Sequence, residues 1–197
     1  MKFNQAEKFI YNKLQQELPE HLYYHSIYHV KDVLSAAIRL AESEGIEEDG
    51  LLLLKTAVLF HDSGFTVQSK DHETIGCNIV KEVLPQFDYS QQDIDMIAGM
   101  IMATKIPQTP HNLLEQIIAD ADLDYLGRED YWTISSNLYK EITMYSMLNE
   151  TDWLKIQISF LEQHKYFTNT AIQTRNEKKK EYICILKDML ALQTKNN

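Results

Sequence analysis

Three short polar clusters interrupt a chain whose apolar residues otherwise follow helical spacing. They are His29 within Tyr24-His25-Ser26-Ile27-Tyr28-His29-Val30, the doublet His61-Asp62 closing the run Ala57-Val58-Leu59-Phe60, and Asp120-Ala121-Asp122-Leu123-Asp124. Burying a carboxylate beside an imidazole is costly unless something pairs with both groups. Imidazole nitrogens and carboxylate oxygens together form a ligand set for a divalent transition ion such as Mn, Fe, Co, Ni or Zn. Two of each, delivered from three helices, would leave positions open for water and substrate, as a hydrolytic centre requires.

The elements that must position these residues can be read in outline. A first helix is expected over about 4–18, with Phe3, Ala6, Ile10 and Leu14 on one stripe and Pro19 ending it. Val30, Val33, Leu34, Ala37, Ile38 and Ala41 predict a long helix ending at Gly45, with His29 in its first turn and His25 just before it. Residues 51–62 predict a core helix, apolar almost all round, whose end delivers His61 and Asp62 to the interior. Residues 63–70 then read as a polar connection, and 72–84 as a further helix before Pro85. Ser90 with Asp93, and Asn112 with Glu115, mark two helix starts. The second of these helices runs into the acidic cluster, where carboxylates oppose the helix dipole, so a nearby cation is expected. Three more amphipathic helices follow from Tyr131 to Leu192, without a polar cluster that suggests chemistry.

Bulk properties narrow the class. With 197 residues, only six glycines and four prolines, and no repeat or linker, the chain reads as one all-α domain over 1–197. Its motif-bearing part spans about 20–130, and its C-terminal helices about 131–193. A net charge of −10 argues against nucleic-acid backbone or an anionic membrane as partner. The run Lys178-Lys179-Lys180 reads as a solvated face. Cys77 and Cys184 lack metal or disulfide spacing, and no segment has the length of a membrane span, so a cytoplasmic protein is expected.

The order of a single His, a His-Asp doublet about thirty residues on, and a distant Asp resembles the HD superfamily of metal-dependent phosphohydrolases. The matching pieces are Tyr24 to Val33, Ala57 to Phe65, His72-Glu73, and Asp120 to Gly127. The resemblance implies a multi-helix bundle with a metal site between helices, liganded by His29, His61, Asp62 and one Asp of the last piece. Ala121-Asp122-Leu123 fits the family context best, with Asp120 as the alternative, and Asp124 is left as a supporting group or structural cap. The resemblance also gives roles to His72 and His25 at the phosphate or attacking water, and to Glu73 in orienting a ligand or helping to hold a second ion.

Phosphate needs positive charge beyond the ion, and Lys105 and Arg128 lie close in sequence to the acidic cluster. His21, His111 and His164 have no such context and read as surface or loop residues. Tyr23, Tyr24 and Tyr28 could stack on a base, although their spacing suits a core. The expected activity is hydrolysis of a small phosphomonoester or phosphodiester, of nucleotide type by resemblance. It would use one or two divalent ions (Mg among the options), with Asp62, His72, Glu73 and Lys105 as the catalytic set and His25, Lys105 and Arg128 on the substrate. A non-catalytic module that senses a nucleotide and signals to a protein partner is the alternative. The oligomeric state is open.

Overall fold

The computed structural model describes the backbone of residues 1–195 and the side chains of residues 1–193. Among the described residues there are nine α-helices and no strand: α1 (Phe3–Glu17), α2 (Ile27–Ser43), α3 (Glu48–Phe60), α4 (His72–Val83), α5 (Gln91–Ala103), α6 (Leu113–Asp122), α7 (Tyr131–Thr143), α8 (Glu150–Gln163) and α9 (Asn169–Lys195). No described helix is long and apolar enough to cross a membrane.

The caps show why several helices begin where they do. Ser90 and Asp93 form a complete capping box at α5, the Ser90 hydroxyl accepting from the Asp93 N–H and the Asp93 carboxylate accepting from the Ser90 N–H. Asn112 accepts from the Glu115 N–H at 3.0 Å and starts α6.

Packing then fixes the frame. Helix α2 lies against α3 and α6, α5 packs on both α3 and α4, and α8 packs on α9. Helix α3 is the innermost: Leu53, Leu54 and all of Thr56 to Phe60 are buried. Helix α2 buries Val30, Val33, Ala36, Ala37, Leu40 and Ala41, and His29 lies on that same stripe. The spacing that buries the valines therefore turns the histidine inward as well.

Three sequence expectations change. Residues 63–66 are a 3-10 turn with Ser63, Gly64 and Phe65 buried, so the stretch is not a solvated connection throughout. Lys179 is only 6% exposed, because α9 lays it against the end of α8, where its ammonium donates to the His164 carbonyl at 2.6 Å. The basic run is thus not wholly a solvated face, and His164 is correspondingly half-buried. Of the three tyrosines, Tyr24 is core, whereas Tyr23 and Tyr28 are exposed, Tyr28 at 82%.

Candidate metal centre

Four side chains converge where α2, α3 and α6 meet. His29 comes from the first turn of α2, His61 caps the C-terminus of α3, Asp62 follows in the turn, and Asp122 is the last residue of α6. His29 Nε2 lies 3.1 Å from Asp122 Oδ1 and 3.5 Å from Asp62 Oδ2. His61 Nε2 lies 3.1 Å from Asp62 Oδ2 and 3.6 Å from Asp122 Oδ1. Single ligand atoms of His29, His61 and Asp122 all fall within 4.8 Å of one another.

Two of these atoms, His61 Nε2 and Asp62 Oδ2, are buried without a hydrogen-bond partner among the described residues. Their 3.1 Å approach brings opposite charges together without the alignment of a hydrogen bond. Buried polar atoms are nearly always satisfied, so such a pair, with two more donors beside it, has the character of a ligand set for a cation. His61 Nδ1–H donates to the Val58 carbonyl at 2.7 Å, which fixes the ring and leaves the Nε2 lone pair for an ion. The residues present thus fit a divalent metal.

The electrostatics agree. Burial would lower the His61 value, but the Asp62 and Asp122 carboxylates outweigh it and hold the imidazole well above its ordinary value. Burial likewise works to raise Asp62, yet His61 and His72 hold it well below the usual carboxylate range. Asp122, against its burial, is brought down to about 2 by His29 and His61.

The second group of predicted residues borders this cluster. His72 opens α4, with Nδ1–H donating to the Ser69 carbonyl at 3.1 Å and Nε2 3.5 Å from Asp62 Oδ1. Asp62 therefore faces His29 and His61 with one oxygen and His72 with the other. Glu73 is buried, its Oε1 3.6 Å from His72 Nε2. Gly64 sets this approach: a Cβ there would stand 2.0 Å from the His72 carbonyl oxygen, so only glycine lets the turn after Asp62 lie on the start of α4. His25 stacks on Phe65 with ring centroids 4.0 Å apart.

Other expected residues lie elsewhere. Asp120 accepts from the Phe167 and Thr168 N–H groups at 2.9 and 2.8 Å and from the Thr168 hydroxyl at 2.7 Å, so it ties α6 to the start of α9 and stands outside the metal cluster. Arg128 is held by Asp32 and Asp130, with Asp124 3.5 Å away, and does not line the pocket beside the cluster. Lys105 pairs with Asp71 at 2.8 Å on the surface, and it too is absent from the pocket wall. Asp124 takes Arg39 at 2.8 Å and Arg175 at 2.7 Å, and these are the cations its position called for.

That pocket, about 290 Å³, opens from Asp62, Asp122, His25, His72 and Glu73 and runs beneath α7 and α8. Two contributions of the C-terminal helices were not foreseen. Glu141 of α7 holds His25, bonding its Nδ1 and accepting from the Tyr24 and His25 N–H groups at 2.8 and 3.0 Å. Gln157 of α8 lines the pocket, its Oε1 accepting from Tyr131 and Ser135 hydroxyls at 2.8 and 2.6 Å. A lone Glu or Gln in an amphipathic helix carries no signal for a partner that lies more than twenty residues away.

Comparison with known proteins follows the same line. The fold matches the crystal structure of a predicted HD superfamily hydrolase from an uncultured Thermotogales bacterium, with a TM-score of 0.63, 19% identity, and coverage of 94% of this chain and 92% of that one. No curated protein matches the sequence significantly. The family model described as HD domain matches residues 26–124, about half of the chain. His29, His61, Asp62, His72 and Asp122 all fall inside that match, and the chain belongs to the HD domain family.

Proposed function

We propose that the protein is a metal-dependent phosphohydrolase, with His29, His61, Asp62 and Asp122 holding a divalent ion and a phosphoester, of the nucleotide type the family suggests, as substrate. The observation that carries this reading is the buried convergence of two imidazoles and two carboxylates in which His61 Nε2 and Asp62 Oδ2 lack any other partner. When bound, such an ion supplies Lewis acidity, which makes water nucleophilic near neutral pH and stabilises charge on phosphoryl oxygens.

The remaining work belongs to the chain's own groups. Asp62 orients the attacking water and accepts its proton, its Oδ1 lying on the His72 side. Burial would push His72 down, but Asp62 and Glu73 raise its value, which favours the protonated form that could serve the departing oxygen. In the net reaction the water oxygen bonds to phosphorus, the bond from phosphorus to the leaving oxygen breaks, and that oxygen leaves protonated. Glu73 orients His72 or, with Asp62 Oδ1, completes a second cation position. His25, braced by Glu141, lines the approach.

The test is product release from nucleoside mono-, di- and triphosphates, cyclic nucleotides and simple phosphoesters, with Mn, Co, Ni, Zn or Mg added. Asp62→Ala is run beside the wild type. Metal-dependent turnover that falls at least a thousandfold in the variant is expected. A metal-loaded wild type that turns over nothing in the panel, or a variant that keeps its turnover, would overturn the reading.

A further inference from the structure

The pocket beside the metal cluster has a wall that says what can lie in it. Its cluster end carries Asp62, Asp122, Glu73, His25 and His72, while no lysine or arginine lines it anywhere. Away from the cluster the wall is made largely of Leu126, Leu138, Ile142, Trp153 and Phe160. Gln157, 6% exposed, offers a neutral amide whose oxygen is already taken by two hydroxyls. The two cations expected from the sequence pair elsewhere, Lys105 with Asp71 and Arg128 with Asp32 and Asp130.

We infer that the leaving group of the substrate is uncharged, largely apolar and about the size of a ring system, on a monoester with a single phosphoryl group. This rests on the phosphohydrolase reading for the phosphoryl end and narrows its nucleotide part, since it excludes di- and triphosphates and favours a leaving group less polar than a nucleoside. A divalent ion held by the cluster would neutralise one phosphoryl group, but a second phosphate or a carboxylate further in would be desolvated against aliphatic and aromatic side chains without a counter-charge. An apolar ring in the same place gains from burial and from stacking against Trp153 and Phe160. At about 290 Å³ the pocket is at the small end for ligand sites, which favours a compact group over a long chain.

The test reads binding separately from turnover. Calorimetric titration of the Mn-loaded protein would use three phosphonates that cannot be hydrolysed: methylphosphonate, phenylphosphonate and 4-carboxyphenylphosphonate. Phenylphosphonate is expected to bind at least tenfold more tightly than either of the others. Ile142→Lys, at a half-buried wall position, supplies a cation without emptying the core, and should shift preference at least tenfold towards the carboxylated compound. Equal affinity for methyl- and phenylphosphonate, or tighter binding of the carboxylated compound by the wild type, would overturn the inference. Selective binding of phenylphosphonate with no turnover of phenyl phosphate would support the inference and count against the hydrolase reading instead.

Discussion

Asp122 and Asp124 lie two residues apart, both largely withdrawn from solvent, and meet opposite surroundings. Asp124 is answered in full, by Arg39 at 2.8 Å and Arg175 at 2.7 Å, with Arg128 at 3.5 Å. Among the described residues Asp122 pairs with His29 and His61 alone, in a cluster where one nitrogen and one carboxylate oxygen have no hydrogen-bond partner. A buried charge surrounded by fixed cations is a fastener, because removing it strands the arginines. A buried charge among exchangeable partners is a site, because its best partner can come from solution. Asp120, two residues before Asp122, is lifted by burial to about 6 despite its three hydrogen bonds and serves as a tie to α9.

The sharpest way to break this contrast is to neutralise each acid in turn. Asp122→Asn is expected to lower metal-dependent turnover at least a thousandfold and to abolish stoichiometric metal by elemental analysis, with a smaller loss of thermal midpoint in the metal-free protein than Asp124→Asn causes. An Asp122→Asn protein that still held metal would put the two acids on the same footing. Asp124→Asn should do the reverse, costing about 3 kcal/mol in denaturant unfolding while the folded fraction still binds metal.

Adding metal sharpens the comparison from the other side. Manganese at a hundredfold excess over its Kd should stabilise the wild type by about 2.7 kcal/mol, and should not stabilise Asp122→Asn. Because His61 is held above its ordinary value without an ion, and must be neutral to bind one, metal uptake releases a proton and the affinity rises with pH through the raised value. The metal-free protein shows the opposite slope. A raised imidazole value contributes stability that is present below about 6.5 and lost as pH climbs through the folded value. Calorimetry in buffers of different ionisation enthalpy would detect the proton, and a pH-independent affinity would count against His61 as a ligand.

The smallest effect concerns His164, whose Nε2 is also buried without a hydrogen-bond partner. The Lys179 ammonium lies 3.2 Å from the other ring nitrogen, Nδ1, so a second cation on this ring would be repelled rather than bound. Burial, then the Lys179 charge, brings His164 down to about 3. A base with a depressed folded value costs stability as pH falls from about 6.5 towards the folded value, since the unfolded chain binds the extra proton. Between about pH 6.5 and about pH 5.5, His164→Gln should flatten the acid limb of the stability curve by about 1 kcal/mol and leave the metal content unchanged. Lost metal would mean that an orphaned nitrogen, by itself, marks a ligand.

Much of the fold was legible because helix stripes and caps are local. The stripe through Val30, Val33 and Ala37 turns His29 inward, and Ser90-Asp93 and Asn112-Glu115 cap as their spacing predicts. The spacing of His29, His61-Asp62 and the acidic cluster likewise pointed to a metal site, since each motif ends or begins a helix that must bury its apolar face. Lys179 was misread because a three-lysine run looks solvated until α9 is laid against His164.

The sequence by itself determined the all-α class, the helix starts and the types of residue available to an ion, because these follow from short-range periodicity and side-chain chemistry. Only the tertiary structure decided which of three acids faces the histidines, that Arg39 and Arg175 answer Asp124, and that α7 and α8 close a largely apolar pocket beside the cluster with no lysine or arginine in its wall. Those outcomes depend on contacts between residues dozens of positions apart. Which face of a helix end meets which partner is fixed by packing of the whole core, which no local pattern encodes.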